Sequence, residues 1–224
     1  MSKVAEEISN IKKELPAGVR LVAVSKFHPV SLIREAYDAG QRLFGESRVQ
    51  ELLQKIPQLP EDIRWHFIGH LQTNKVRQII GKVSMIESVD SIRLLQLIDK
   101  ESEKAGMISD VLLQIHVALE ETKFGFSEEE FIDFFRHKQY LEFNSVRIRG
   151  VMGMATNTDD LSRIRSDFKK IYQLFRFVNE DSEYNLPCFD TISMGMSDDW
   201  KIAVEEGSNL IRIGSGIFGA RNYA

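Results

Sequence analysis

At 224 residues, with 43% hydrophobic and 28% charged residues, the chain has the composition of a globular protein long enough to bury a large core. A net charge of -4 gives no general attraction to nucleic acid or to an anionic membrane, so any anion site must be local. Cys188 is the single cysteine, which excludes an intrachain disulfide; the opening Met1-Ser-Lys-Val-Ala-Glu-Glu is charged where a secretion signal is apolar, and no stretch is long and apolar enough to span a bilayer.

Read as one cytosolic domain over residues 1–224, the chain begins with an amphipathic helix marked by Val4, Ile8, Ile11 and Leu15 and stopped at Pro16-Ala-Gly18. A first strand, Arg20 to Ser25, ends on Lys26, and Pro29 and Ser31 introduce a helix that stops at Gly40. The strand Arg42 to Gly45 precedes a helix with Val49, Leu52, Leu53 and Ile56 on one face, closed by Pro57 and Pro60. Arg64 to Ile68 and Val83 to Glu87 read as strands, followed by helices over Asn74 to Ile80 and Ser91 to Ala105. Asp110 to Val117 is almost continuously apolar, as a strand covered on both faces is, and Ser127 with Glu130 forms a capping-box signature before a helix carrying Phe131, Phe134 and Phe135. Strands at Ser145 to Met152, Phe189 to Met194 and Leu210 to Ile213 alternate with helices at Asp160 to Val178 and Ser197 to Glu206, and a helical stub starts at Gly216. Eight strand-like segments, each followed by a helical one, favour a closed (β/α)8 barrel with an extra N-terminal helix over a doubly wound open sheet.

In such a barrel the site lies at the carboxyl ends of the strands, and the unusual residues gather there. Lys26 ends the first strand. A desolvated lysine loses its preference for the charged form and becomes a nucleophile towards a carbonyl, whereas an isolated lysine past a strand end is ordinarily a solvated one. Ser193, Gly195, Gly214 and Ser215, after the last two strands, let backbone amides approach a phosphate; they also suit simple tight turns. Arg212 alternates with Ile211 and Ile213 and, if directed inward, needs an acceptor, either a ligand heteroatom or a structural carboxylate. His66 and His70 have no third ligand at metal spacing and read as packing or hydrogen-bonding residues. Asp198 and Asp199 follow Ser197, read as a helix cap, and Met152, Met154, Met194 and Met196 either flank a flat ring or fill space. Gly214-Ser-Gly216 lacks the context of a serine nucleophile elbow.

The ordered set Ala23-Val-Ser-Lys26, Phe44-Gly-Glu46, His66-Phe-Ile-Gly69 with Leu71-Gln72 and Asn74-Lys75, Ser193-Met-Gly-Met-Ser-Asp198, and Arg212-Ile-Gly214 with Ile217-Phe-Gly219-Ala-Arg221 closely resembles the pyridoxal phosphate homeostasis proteins. The resemblance runs over nearly the whole chain and implies a barrel like the amino-terminal domain of alanine racemase, holding pyridoxal 5′-phosphate (PLP) covalently without established turnover. It implies Lys26 as the aldimine lysine, Ser193, Gly214 and Ser215 on the phosphate with neighbouring amides, and Arg212 at the pyridine nitrogen. Gly195, Asn74 and Met194 complete the expected cofactor-binding set. Ser47 stands where the family usually has asparagine, Phe27 where a small polar residue is common, and Ser215 where threonine is frequent.

The favoured expectation is a non-catalytic protein that stores, delivers or buffers PLP, with PLP-dependent apoenzymes as partners and a monomer as the default state. Racemases of this fold are implied to take a second base, a tyrosine, from an additional β domain, and the chain ends about ten residues after its eighth strand, with Tyr223 at its terminus. A weak racemase using Lys26 as its one base and a Schiff-base aldolase acting on a phosphorylated sugar are the alternatives.

Overall fold

The computed structural model describes residues 2–120, 124–181, 183–184 and 186–220. Eight strands, β1 (Arg20–Val24), β2 (Leu43–Glu46), β3 (Arg64–Phe67), β4 (Met85–Val89), β5 (Ser109–Ile115), β6 (Val146–Gly153), β7 (Thr191–Ser193) and β8 (Leu210–Ile213), follow one another around a closed barrel. Every pair is parallel, and β8 closes onto β1 through Arg20 to Ala23 against Leu210 to Ile213. The helices are α1 (Lys3–Glu14), α2 (Val30–Asp38), α3 (Val49–Lys55), α4 (Val76–Ile79), α5 (Ile92–Lys104), α6 (Glu128–Arg136), α7 (Leu161–Asn179), α8 (Trp200–Glu205) and α9 (Ser215–Phe218). This is the expected (β/α)8 barrel, with α1 as the extra helix before the first strand.

Strand alternation divides the apolar residues between two sides of the barrel wall. Leu21, Ala23, Phe44, Trp65, Phe67, Ile211 and Ile213 join helix residues such as Ile33, Leu52, Phe168 and Ile171 in the main core, which lies between wall and helices. Val22, Val24, Leu43 and Leu210 form a separate cluster, and Met85, Leu112 and Met152 another; their opposite parity puts them inside the barrel. The periodicity that marked α6 and α7 is the face they bury: Phe131, Phe134 and Phe135 on one, and Ile164, Phe168, Ile171 and Phe175 on the other. The capping box forms as expected, with Ser127 Oγ accepting from Glu130 N and Glu130 Oε2 accepting from Ser127 N.

Three local departures have physical causes. The helix expected over Asn74 to Ile80 becomes a 3-10 turn over Thr73–Lys75 and the single turn α4. α8 starts at Trp200 because the Asp199 carboxylate accepts the Met196 N–H at 2.6 Å and forms its own turn ahead of the helix, so Ser197 is not the cap. β6 slips by one residue against β5 at Gly150, which has φ +142° and lies so close to β7 that a Cβ there would sit 1.9 Å from the Thr191 carbonyl oxygen.

Candidate functional site

A cavity of about 240 Å³ opens at the carboxyl ends of the strands. Its wall brings together Val24 at the end of β1 and Lys26 beyond it, Ile68 after β3, Met154 after β6, Ser197 after β7, and Arg212, Gly214 and Ser215 at the end of β8. Lys26 sits in the turn two residues beyond the end of β1, where it lines the barrel mouth beside Val24. His28, Met196 and Asp198 complete the rim.

The turn carrying Lys26 is held from outside the barrel. Lys55 of α3 is only 5% exposed, and its ammonium donates to the Ser25 carbonyl at 2.8 Å, to Glu46 Oε1 at 2.7 Å and to Glu51 Oε1 at 2.6 Å. Glu51 Oε1 also accepts the Phe27 N–H at 2.6 Å. One ion pair thus clamps the backbone on both sides of Lys26, at Ser25 and at Phe27. The clamp supports Phe27 in a left-handed conformation, φ +66°, that ordinarily costs about 1 kcal/mol or more outside glycine, and Arg48 stacks its guanidinium 4.5 Å from the Phe27 ring centroid. Glu46, fully buried, accepts the Ser25 hydroxyl at 2.6 Å, while its other oxygen, Oε2, has no hydrogen-bond partner among the described residues. Burial pushes the Glu46 carboxyl above its usual range, against the opposing pull of Lys55 and the Ser25 hydrogen bond.

Arg212 enters the cavity from the barrel interior, where it is 4% exposed. Its Nη1 donates to Ser193 Oγ at 2.6 Å and its Nη2 to the Gly153 carbonyl at 2.9 Å. Ser193 in turn donates to Glu87 Oε2 at 2.5 Å, and His66 Nδ1 lies 2.5 Å from Glu87 Oε1. Burial pulls the Arg212 guanidinium below its usual value against the fields of Glu87 and Asp199. Burial alone pushes Glu87 up, but the hydrogen bond and charge of His66, the charge of Arg212 and the Ser193 hydroxyl overcome it, and its carboxyl rests below the usual range. Asp199 is raised, mainly by burial.

Two hydroxyls, from the segments after β7 and β8, share the mouth with Lys26. Ser215 Oγ donates to Ser197 Oγ at 3.0 Å, and the Gly216 N–H donates to the same oxygen at 3.3 Å. Ser197 therefore accepts twice and keeps its own proton for a ligand oxygen. At Gly214 the backbone is close enough to β1 that a Cβ would sit 3.3 Å from the Val24 carbonyl oxygen.

Of the eight residues expected at the cofactor, Lys26, Arg212, Gly214 and Ser215 share the cavity wall, and the other four are placed elsewhere. The Ser193 hydroxyl is engaged in both directions inside the barrel, behind Arg212, and is not on the cavity wall. Met194 points the other way, fully buried in the core between wall and helices. Gly195, with φ +97°, makes a turn whose absent Cβ would strike Ala203 at 2.6 Å, and its carbonyl accepts the Arg212 N–H. Asn74 is exposed in a separate depression with Arg93, Gln96 and Lys100. Sequence reasoning missed Ser197, taken for a helix cap, and the buried Glu87, whereas His66 takes the hydrogen-bonding role expected of it. Arg221 and Tyr223, named in the sequence reading, lie outside the described residues.

His66 and His70 address different carboxylates: His66 meets Glu87, while His70 Nδ1 is 2.9 Å from Asp90 Oδ2 and its ring stacks on Phe124 at 3.9 Å. Among the described residues no group of three or more histidine, cysteine, aspartate or glutamate side chains is placed to hold a metal, and no helix is long and apolar enough to cross a membrane.

A family model described as the alanine racemase N-terminal domain matches residues 1–222. A pyridoxal phosphate homeostasis protein of Aquifex aeolicus is 37% identical over 227 residues, spanning 100% of this chain and 97% of that protein. The Homo sapiens protein of the same description is 37% identical over 236 residues, spanning 99% of this chain and 84% of that protein. Among solved structures, PipY of Synechococcus elongatus with PLP bound superposes with a TM-score of 0.87 at 34% identity, covering 96% of this chain and all of PipY. An alanine racemase from Bartonella henselae with covalently bound pyridoxal phosphate shares the fold, with a TM-score of 0.74 at 15% identity over 98% of this chain and 59% of the racemase.

Proposed function

The chain belongs to the pyridoxal phosphate homeostasis proteins, built on the alanine racemase N-terminal domain, and from that premise we propose that it holds PLP in the barrel-mouth cavity through Lys26 and stores, buffers or delivers it. One observation carries this reading: an amine, a guanidinium and a pair of serine hydroxyls converge on a single small cavity. The donor set fits the cofactor. Ser197 and Ser215, with the Gly216 amide beside them, make a donor-rich corner for a phosphate. The close backbone at Gly214 leaves that corner free of side-chain bulk. Lys26 offsets Asp198, the one carboxylate among the described wall residues, so the hydroxyl and amide donors rather than net charge favour a phosphate there.

When bound, PLP supplies an aldehyde that a lysine amine captures reversibly and a ring that delocalises charge. Lys26 is the amine, presented by the turn after β1 and steadied by the Lys55–Glu51 clamp on its neighbours. Ser197 and Ser215, with the Gly216 amide, would hold the phosphate. Arg212 carries only donors, so it offers a hydrogen bond to a ring nitrogen and no acceptor for a ring proton. That arrangement weakens the electron-sink chemistry on which carbanion enzymes rely, which supports a carrier over an enzyme. Among the described residues no tyrosine lines the cavity to act as a second base opposite Lys26. We read the protein as a cytoplasmic monomer that passes PLP to apoenzymes.

Adding PLP to the purified protein tests the reading. The visible absorbance of a lysine-bound cofactor should grow in and be missing from Lys26→Ala; no absorbance, or the same absorbance in the variant, overturns it. Robust turnover of an amino acid that depends on Lys26 contradicts the carrier role, and borohydride trapping of a sugar phosphate without added PLP favours the aldolase.

A further inference from the structure

Behind Arg212 runs a buried polar chain, Arg212 to Ser193 to Glu87 to His66, whose far members touch nothing in the cavity. Its proton directions are forced. A guanidinium only donates, so Ser193 Oγ must accept from Arg212, and the single hydroxyl proton must then go to Glu87 Oε2. Glu87 is therefore an acceptor at that oxygen, and its other oxygen is occupied by His66 Nδ1. Glu87 and Ser193 are fully buried, and the Glu87 carboxylate lies 3.8 Å from the Arg212 guanidinium.

A buried cation with no counter-charge draws an anion to itself, because leaving it uncompensated in a low-dielectric interior is costly. The cavity offers a phosphate-bearing ligand two attractive ends, Arg212 on one side and the Ser197–Ser215 pair on another. Were Arg212 an open positive charge, it would outcompete neutral hydroxyls for a doubly charged group. Glu87 cancels that charge from inside the barrel and leaves the remaining Arg212 N–H groups as donors.

We propose that Glu87, relayed through Ser193 and held by His66, is a positioning residue that sets ligand polarity: it makes Arg212 a site for an uncharged ring heteroatom and directs the phosphate to Ser197 and Ser215. The proposal rests on the PLP reading of the same cavity but concerns how the cavity sorts charge, which is measurable without PLP.

The test uses Glu87→Gln, which keeps the shape and removes the charge, and Ser193→Ala, which keeps the charge and breaks the relay. Binding of inorganic phosphate to the PLP-free protein is measured by calorimetry, with circular dichroism as the check on folding. Glu87→Gln should bind phosphate about tenfold tighter than wild type or better, and the gain should vanish in Glu87→Gln/Arg212→Met. In the PLP-loaded proteins, Glu87→Gln should shift the absorbance maximum and make it sensitive to chloride, with Ser193→Ala intermediate. Phosphate affinity unchanged in a folded Glu87→Gln, or a gain that survives loss of Arg212, overturns the proposal. If Glu87→Gln does not fold, Ser193→Ala decides: an unchanged phosphate affinity and an unchanged PLP spectrum together overturn it. Failure of wild type to take up PLP would sink the cofactor reading alone, since the phosphate comparison still reports on Arg212.

Discussion

Lys55→Met removes the ammonium from the clamp behind Lys26 while keeping most of the aliphatic stem, and its consequences can be worked through. Wild-type Lys55 makes three hydrogen bonds, to Ser25 O, Glu46 Oε1 and Glu51 Oε1. Glu51 is partly solvated and can turn to water, but the Glu46 side chain has no exposure and already has one oxygen without a hydrogen-bond partner among the described residues. Breaking a buried pair from one side costs roughly 3–5 kcal/mol, because the surviving charge is left uncompensated. The cost should depend on pH in a defined direction. The folded-state value of Glu46 is raised, so its contribution to stability is present below the ordinary glutamate value of 4.5 and is lost as pH rises through the elevated value. Without Lys55 that value climbs further, and the deficit of the variant should grow as pH rises from about 5 towards 7.5. Urea unfolding at both pH values measures it, with equal slopes confirming comparable unfolding transitions. Lys55→Met/Glu46→Gln should recover at least half of the loss at pH 7.5 and flatten its pH dependence. A single-variant cost below about 1 kcal/mol, a deficit equal at the two pH values, or a double variant no better than the single would refute the reasoning. The same variant should weaken PLP capture, since Ser25 and Phe27 lose their common anchor.

Ser197→Ala should lower PLP affinity about tenfold or more by removing the uncommitted hydroxyl proton, whereas Ser215→Ala should cost less because Ser197 retains the Gly216 N–H; fluorescence titration ranks the two. Gly150→Ala should destabilise by more than about 3 kcal/mol or prevent soluble expression, since its Cβ would overlap the Thr191 carbonyl in a left-handed position; thermal unfolding or a solubility assay decides. Glu87 has the opposite linkage sign to Glu46. Its folded value is lowered, so its stabilisation is present above 4.5 and is lost as pH falls through that lowered value. The stability gap between wild type and Glu87→Gln should accordingly narrow on acidification below 4.5, which denaturant titrations across that limb would show.

The barrel was legible because each element carries its own period: Val22 and Val24 against Leu21 and Ala23 in β1, or Ile164, Phe168, Ile171 and Phe175 along α7. Lys26 was legible from its place at the carboxyl end of the first strand, where a barrel carries its site. Met194 should have been excluded by that rule, since Thr191 and Ser193 take the inward positions of β7 and leave Met194 facing the helices. Ser193 poses a harder problem. A serine at a strand end reads alike whether it faces a ligand or lies one layer beneath one, and the depth is set by Arg212 and by Glu87, 106 residues away in sequence. Ser197 was hidden because Asp199 took over the turn that a serine ahead of an apolar run usually caps. Asn74 faces outward because the chain makes a 3-10 turn there rather than a regular helix. The clamp of Glu46, Glu51 and Lys55 had no local signal beyond the i,i+4 spacing of its last two members, because it joins β2 and α3 to Ser25 and Phe27 in the segment after β1.

Borohydride fixation of the PLP-loaded protein, followed by peptide mapping, tests the assignment of the cofactor to Lys26 most directly. Reduction should leave a single stable pyridoxyl adduct on the peptide containing Lys26, absent when Lys26→Ala is treated alike. An adduct on another lysine, or equal labelling in the variant, would contradict it.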